Sequence, residues 1–183
     1  FPSMPISFWN DPDGRKYSDA YFRTYPGVWH HGDFVEITDR GTVIIYGRSD
    51  STLKPGGVRI GTAEIYRPLE GLTWIAGSIA ADLPTESGDE IVLFVQVSDN
   101  EKLSTKRIAQ IKATIRREAS PRHAPKHVIQ VNDIPRTRNG KIAESAVFRI
   151  LRGQQALNRD AIVNPACLVQ FASARQELLS GLS

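Results

Sequence analysis

Gly47-Arg48-Ser49-Asp50-Ser51-Thr52-Leu53-Lys54-Pro55-Gly56-Gly57-Val58-Arg59-Ile60-Gly61-Thr62-Ala63-Glu64 packs four glycines, two arginines and an aspartate into one segment. Glycine reaches backbone conformations closed to other residues and Pro55 removes a hydrogen-bond donor, so regular structure is disfavoured here. A loop with this much special backbone and charge either bends the chain or meets a ligand, and a plain connection between a hairpin and a helix is the competing reading.

Upstream of the loop, Val35 to Thr38 and Thr42 to Tyr46 are β-rich runs separated by Asp39-Arg40-Gly41, a three-residue hairpin signal. Before them, residues 1–29 carry many aromatics, prolines and turn residues, with at most a short helix near Ser18 to Phe22. Downstream, Thr62 to Leu69 reads as a short helix with Thr62 as its N-cap, shortened or made irregular by Pro68. Trp74 to Asp82 and Glu90 to Val97 read as strands joined by a polar turn at Pro84 to Asp89. The second is nearly continuous in apolar residues and is therefore expected at the centre of a sheet. Ser104 caps a helix with Ile108, Ile111 and Ile115 at helical spacing, which ends before Pro121. His127 to Val131 is a further strand, the polar loop Pro135 to Lys141 follows, and 143–152 and 166–179 close the chain as helices. The order predicts an α+β fold, a small mixed sheet covered by helices, with the leading hairpin belonging to a different body.

A chain of 183 residues suffices for one ordinary domain, or for one domain plus a piece of another. It starts at Phe1 with its only methionine at Met4, and is read as a piece of a longer protein. There is no signal-peptide pattern, and no apolar run approaches the roughly 18 to 20 residues that cross a bilayer, so no membrane contact is expected. The single cysteine, Cys167, excludes an internal disulfide framework and suits a reducing cytoplasm. A net charge of +3, without a basic run interleaved with aromatics, permits anionic small molecules and gives no sign of nucleic acid.

Protein-ligated metal is not expected. His123 and His127 stand four apart, but Pro121 and Pro125 break any helix that would align them, and the neighbours His30 and His31 point to opposite sides of an extended strand. No Gly-x-Ser-x-Gly is present, and Asn139-Gly140-Lys141 lacks both the upstream glycine and the Ser or Thr of a phosphate-binding loop. What remains is a set of charged loop residues. Asp33, after Trp29-His30-His31-Gly32, is either a turn aspartate or an acceptor for a sugar diol; Arg48 and Lys141, taken singly, read as solvated charges.

Taken in order, four segments resemble the last motifs of the acyl-adenylate-forming enzymes: the acyl-CoA synthetases, adenylation domains and luciferases. They are Trp29 to Asp33, Gly47-Arg48-Ser49-Asp50, Gly56 to Glu64, and Pro135-Arg136-Thr137-Arg138-Asn139-Gly140-Lys141. Asp13-Gly14, Tyr25 to His30, the run Gly56 to Tyr66 and Asn164-Pro165 bring the resemblance closest to synthetases acting on acetoacetate, with those for acetate or propionate as the rival and a non-catalytic nucleotide-binding module as the alternative of another kind.

The resemblance implies that residues 1–49 end a large N-terminal nucleotide-binding domain and that 50–183 form a mobile C-terminal domain docking on it, with Asp50 as hinge. It also implies ATP and CoA as substrates beside a short carboxylic acid, AMP as a product, and Mg2+ held by the nucleotide and the upstream domain. By motif, Asp33 holds the ribose hydroxyls, Arg48 assists there, and Arg59 contacts phosphate of ATP or CoA. Gly57 lets the backbone approach the CoA arm, and Lys141 is the catalytic lysine of adenylation. Arg116, Arg117, Arg122 and Lys126 are weaker candidates for the CoA phosphates. Ser51 and Asn139 depart from the commoner Asp and Ser or Thr of the family pattern, and neither change removes a charge assigned a role.

Overall fold

The computed structural model describes residues 3–49, 52–98 and 102–181. Hinge residue Asp50 therefore lies outside the described residues. The chain forms two compact units, Phe1–Asp33 and Phe34–Ser183.

In the first unit, helix α1 (Arg15–Tyr21) starts after Gly14, whose φ of 68° is left-handed. Two of its orphan N–H groups are satisfied from outside: Asp11 accepts from Lys16 N at 3.0 Å and from Tyr17 N at 2.9 Å. The helix carries Tyr21 onto Trp29, stacked at 3.8 Å between ring centroids, so that aromatic contact replaces a conventional core.

The second unit opens with a two-stranded sheet, β1 (Asp33–Ile37, entering from the first unit's last residue) beside β2 (Val43–Arg48). Helix α2 (Thr62–Tyr66) runs on into a 3-10 turn at Arg67–Leu69, as the position of Pro68 requires. Gly61, not Thr62, caps α2: Glu64 folds back to accept from Gly61 N at 2.8 Å, which leaves Thr62 as the first helical residue.

The main sheet has the order β3-β4-β5, from β3 (Ile75–Thr85), β4 (Gly88–Val97) and β5 (His127–Gln130). β3 pairs with β4 antiparallel and β4 with β5 parallel, so the sheet is mixed and the apolar strand β4 is central, with Ile91 to Val95 buried. The turn between β3 and β4 is tighter than the sequence suggests. Only Glu86 and Ser87 lie outside the strands, and Pro84 pairs opposite Asp89, a position open to proline because β3 is an edge strand. Helix α3 (Thr105–Glu118) begins where Ser104 accepts from Arg107 N and buries Ile111 and Ile115. Helices α4 (Glu144–Leu151) and α5 (Leu168–Ser180) complete the cover; Phe171 of α5 meets Phe94 of β4 edge-on at 4.8 Å.

Asp82 puts a carboxyl inside this body. Asp82 of β3 has no exposed surface and accepts from the Arg152 guanidinium at 2.7 Å, while its Oδ1 is buried without a hydrogen-bond partner. Burial holds its carboxyl above the usual value, and the Arg152 hydrogen bond and charge offset this only in part.

Candidate functional site

The glycine-rich loop is a closed hairpin. Leu53 and Ile60, both fully buried, exchange backbone hydrogen bonds of 2.9 and 3.0 Å and close the loop of residues 54–59, of which Val58 packs against the core. Within it, Pro55–Gly57 make a single 3-10 turn in which Gly56 and Gly57 have φ of 56° and 81°. A Cβ at either glycine would meet nothing, so glycine is needed there for backbone conformation and not for space. Gly57 and Arg59 are exposed at the loop's tip.

The lysine loop is built with equal care. Arg136 and Ile142 form an antiparallel bridge; Thr137 N donates to Lys141 O at 2.8 Å and Gly140 N to Thr137 O at 2.8 Å, the turn being permitted by Gly140 with φ of 77°. The tail then clamps it. Asn164 accepts from Arg136 N at 3.0 Å and donates to Asp133 at 2.6 Å and to Ile134 O at 2.9 Å, while Thr137 bridges to Ile162. Asn164 thus ties the tail to the lysine loop just ahead of the 3-10 turn Pro165–Cys167 that leads into α5.

An open cleft of 660 Å³ brings several of these elements together. Its lining includes Arg48 from the end of β2, Lys141 from the turn, and Glu144, Phe148, Arg149 and Arg152 from α4. Four cations against one carboxylate make it a setting for phosphate or carboxylate groups. Arg149 is held by donating to Gln155 O at 2.8 Å, and Arg152 by Asp82. Asp33, in the first unit, is hydrogen-bonded to His31. Gly57 and Arg59 lie on a different loop from the cleft's lining. Of the weaker candidates, Arg117 pairs with Glu118 at 2.7 Å and Lys126 with Glu90, whereas Arg116 and Arg122 are exposed. Glu90 also meets His127 at 3.0 Å; burial works against its charge, but these two partners outweigh it and leave the carboxyl below its usual value.

Glu144 lies outside the quoted motifs, and Tyr66 only ends the run Gly56 to Tyr66 with no role attached to it. Tyr66 Oη donates to Glu144 Oε1 at 2.6 Å and Thr62 Oγ1 to Oε2 at 3.4 Å. Partners this far apart in sequence leave no local pattern, and only an acidic first turn in α4 hinted at Glu144. Among the described residues, no three His, Cys, Asp or Glu side chains gather as a metal site, and no helix is long and apolar enough to cross a membrane.

Residues 76–141 match the family described as AMP-binding enzyme C-terminal domain. Over 96% of its length the chain is 48% identical to the acetoacetyl-coenzyme A synthetase of Rhizobium meliloti (strain 1021), and over 96% it is 44% identical to the acetoacetyl-CoA synthetase of Caenorhabditis elegans. It spans about a quarter of these relatives, 27% and 25% of their lengths respectively. The solved acetoacetyl-CoA synthetase of Streptomyces lividans superposes on 97% of this chain with a TM-score of 0.86 and 44% identity, the match covering 27% of that chain. ATP-bound MatB from Rhodopseudomonas palustris shares the fold over 78% of this chain and 27% of its own, with a TM-score of 0.62 and 22% identity.

Proposed function

From the premise that this chain belongs to the AMP-binding enzymes and carries their C-terminal domain over residues 76–141, we propose that it is the C-terminal part of an acetoacetyl-CoA synthetase. The reaction joins acetoacetate to CoA at the expense of ATP through an acyl-adenylate, releasing pyrophosphate and then AMP. The observation carrying this reading is that Arg48 and Lys141 line one cleft with two further arginines. That cation set fits phosphate oxygens and a carboxylate.

In the first half-reaction, charge develops on the α-phosphate and on the attacking carboxylate, and a positioned ammonium stabilises it where water is excluded. Lys141 is assigned that role, Arg48 and Asp33 the ribose. In the second half-reaction the domain has turned about Asp50 and presents the other loop, where Gly57 admits the CoA arm and Arg59 meets phosphate; hinges at element ends absorb such rotations. In this proposal residues 50–183 dock on an upstream domain that ends at residue 49. Mg2+ is assigned to the nucleotide and the upstream domain. The cytoplasm is the compartment where such a reaction has ATP and CoA at hand.

The test is AMP release by the full-length protein with CoA present, across acetoacetate, acetate and propionate. Acetoacetate is expected to give the highest kcat/KM. Preference for acetate or propionate would replace the acid and keep the chemistry, and no acid-dependent AMP release would reject both.

A further inference from the structure

Helix α2 has only five residues, too few to hold together without tethers. Its N-terminus is tied through Glu64, which accepts from Gly61 N at 2.8 Å and meets His123 Nε2 at 3.1 Å. Its last residue, Tyr66, is tied on two sides. The hydroxyl accepts from Ala80 N of edge strand β3 at 3.0 Å and donates to Glu144 Oε1 at 2.6 Å, the short length of a charge-assisted bond. Burial, and then the Glu144 charge, keep this hydroxyl protonated far above its ordinary range, so the donor is always present. Glu144 is three residues beyond Lys141 and lines the same cleft; Thr62, its second partner, is two residues beyond the buried anchor Ile60 of the Gly57 loop.

We infer that Tyr66 and Glu144 are positioning residues that lock the lysine loop to α2, and through α2 to the loop of Gly57 and Arg59, so that both loops travel as one rigid piece. This rests on the roles given to those loops under the proposed function. Neither residue needs to touch a substrate. Each half-reaction uses one loop, and a loop free to settle independently would place its group imprecisely. A displacement of about 1 Å can cost on the order of 10²-fold in rate.

The test uses the full-length protein with Tyr66→Phe, Glu144→Ala and Glu144→Gln, read by hydrogen–deuterium exchange and by each half-reaction separately. Tyr66→Phe and Glu144→Ala should speed exchange about tenfold in both 54–60 and 136–143, because local opening of both loops becomes easier. They should also lower kcat of adenylation and of thioester formation from supplied acyl-adenylate, with KM for ATP held within about twofold. Glu144→Gln keeps an acceptor for the Tyr66 hydroxyl and should restore most of both readouts. Faster exchange in one loop alone, unchanged half-reactions in an active enzyme, or a Glu144→Gln variant as damaged as Glu144→Ala would overturn the inference. Should the wild-type protein catalyse neither half-reaction, the proposed function fails, and exchange still decides the coupling.

Discussion

Leu53 and Ile60 exchange two backbone hydrogen bonds, of 2.9 and 3.0 Å, across the base of the loop that carries Gly57 and Arg59. Both side chains are buried, so the loop is a rigid protrusion with a buried foundation. Its tip is a 3-10 turn, closed by Gly57 N to Lys54 O at 3.1 Å and Val58 N to Pro55 O at 3.2 Å, whose path depends on two left-handed glycines.

Gly57→Val places a β-branched residue at φ 81°, where a side chain costs about 1 to 2 kcal/mol. The strain should deform the tip and slow thioester formation from supplied acyl-adenylate by about tenfold, that energy range bracketing a factor of ten. Adenylation should change little. Gly57→Asn, which tolerates this conformation better, should fall between wild type and Val. Half-reaction kinetics on the full-length protein check the order.

Lys141→Ala removes the ammonium and leaves its turn, which is held by backbone bonds from Thr137 and Gly140. Acid-dependent pyrophosphate exchange should drop by on the order of 10² to 10³, the usual loss for one preorganised electrostatic contact. Thioester formation from supplied acyl-adenylate should survive. Equal loss in both assays would refute the single-step role.

Asp82 makes the protein less stable as pH rises through its titration. Its folded pKa is raised above the ordinary 3.8, chiefly by burial, so the folded state holds the proton more tightly than the unfolded one. The stability it contributes is complete below pH 3.8 and is lost as pH rises through the raised value. Glu90 has the opposite sign: its carboxyl is depressed below 4.5, and its contribution is lost as pH falls through the folded value. Urea unfolding of Asp82→Asn and wild type across this range should show the difference growing in favour of Asn as pH rises. A constant difference would contradict the assignment.

Phe171 is fully buried and packs edge-on against Phe94 in the central strand. Phe171→Ala should lower stability by about 3 to 5 kcal/mol, as expected for an aromatic removed from a packed core. Denaturant titration checks this, and a loss below about 1 kcal/mol would mean that α5 is peripheral.

The elements legible in the sequence are those with local causes. Ile91 to Val95 announce a central strand because both faces are buried, and Ser104 announces α3 because its hydroxyl accepts from Arg107 N. The turn after β3 is shorter than its residues suggest because Pro84 and Asp89, loop residues by type, pair within the strands, where edge position makes the proline acceptable. Lys141 and Arg48 were legible as motif residues, yet their shared cleft depends on α4 folding back beneath them. Pairings such as Tyr66 with Glu144, Asp82 with Arg152 and Arg136 with Asn164 join distant positions, and nothing local in the sequence specifies them.

Gly61 has a consequence for motion. A Cβ there would lie 2.3 Å from the carbonyl oxygen of Tyr46, so α2 and β2 touch backbone against backbone at this point. Tyr46 and Gly61 fall on opposite sides of Asp50 in sequence, so under the rotation proposed above a Cβ at Gly61 would be opposed in the orientation described here. Gly61→Ala is therefore expected to disfavour this orientation, by driving its methyl group into the Tyr46 carbonyl. On the proposed two-pose cycle, the position would set the ratio of the poses without altering any residue assigned to a substrate.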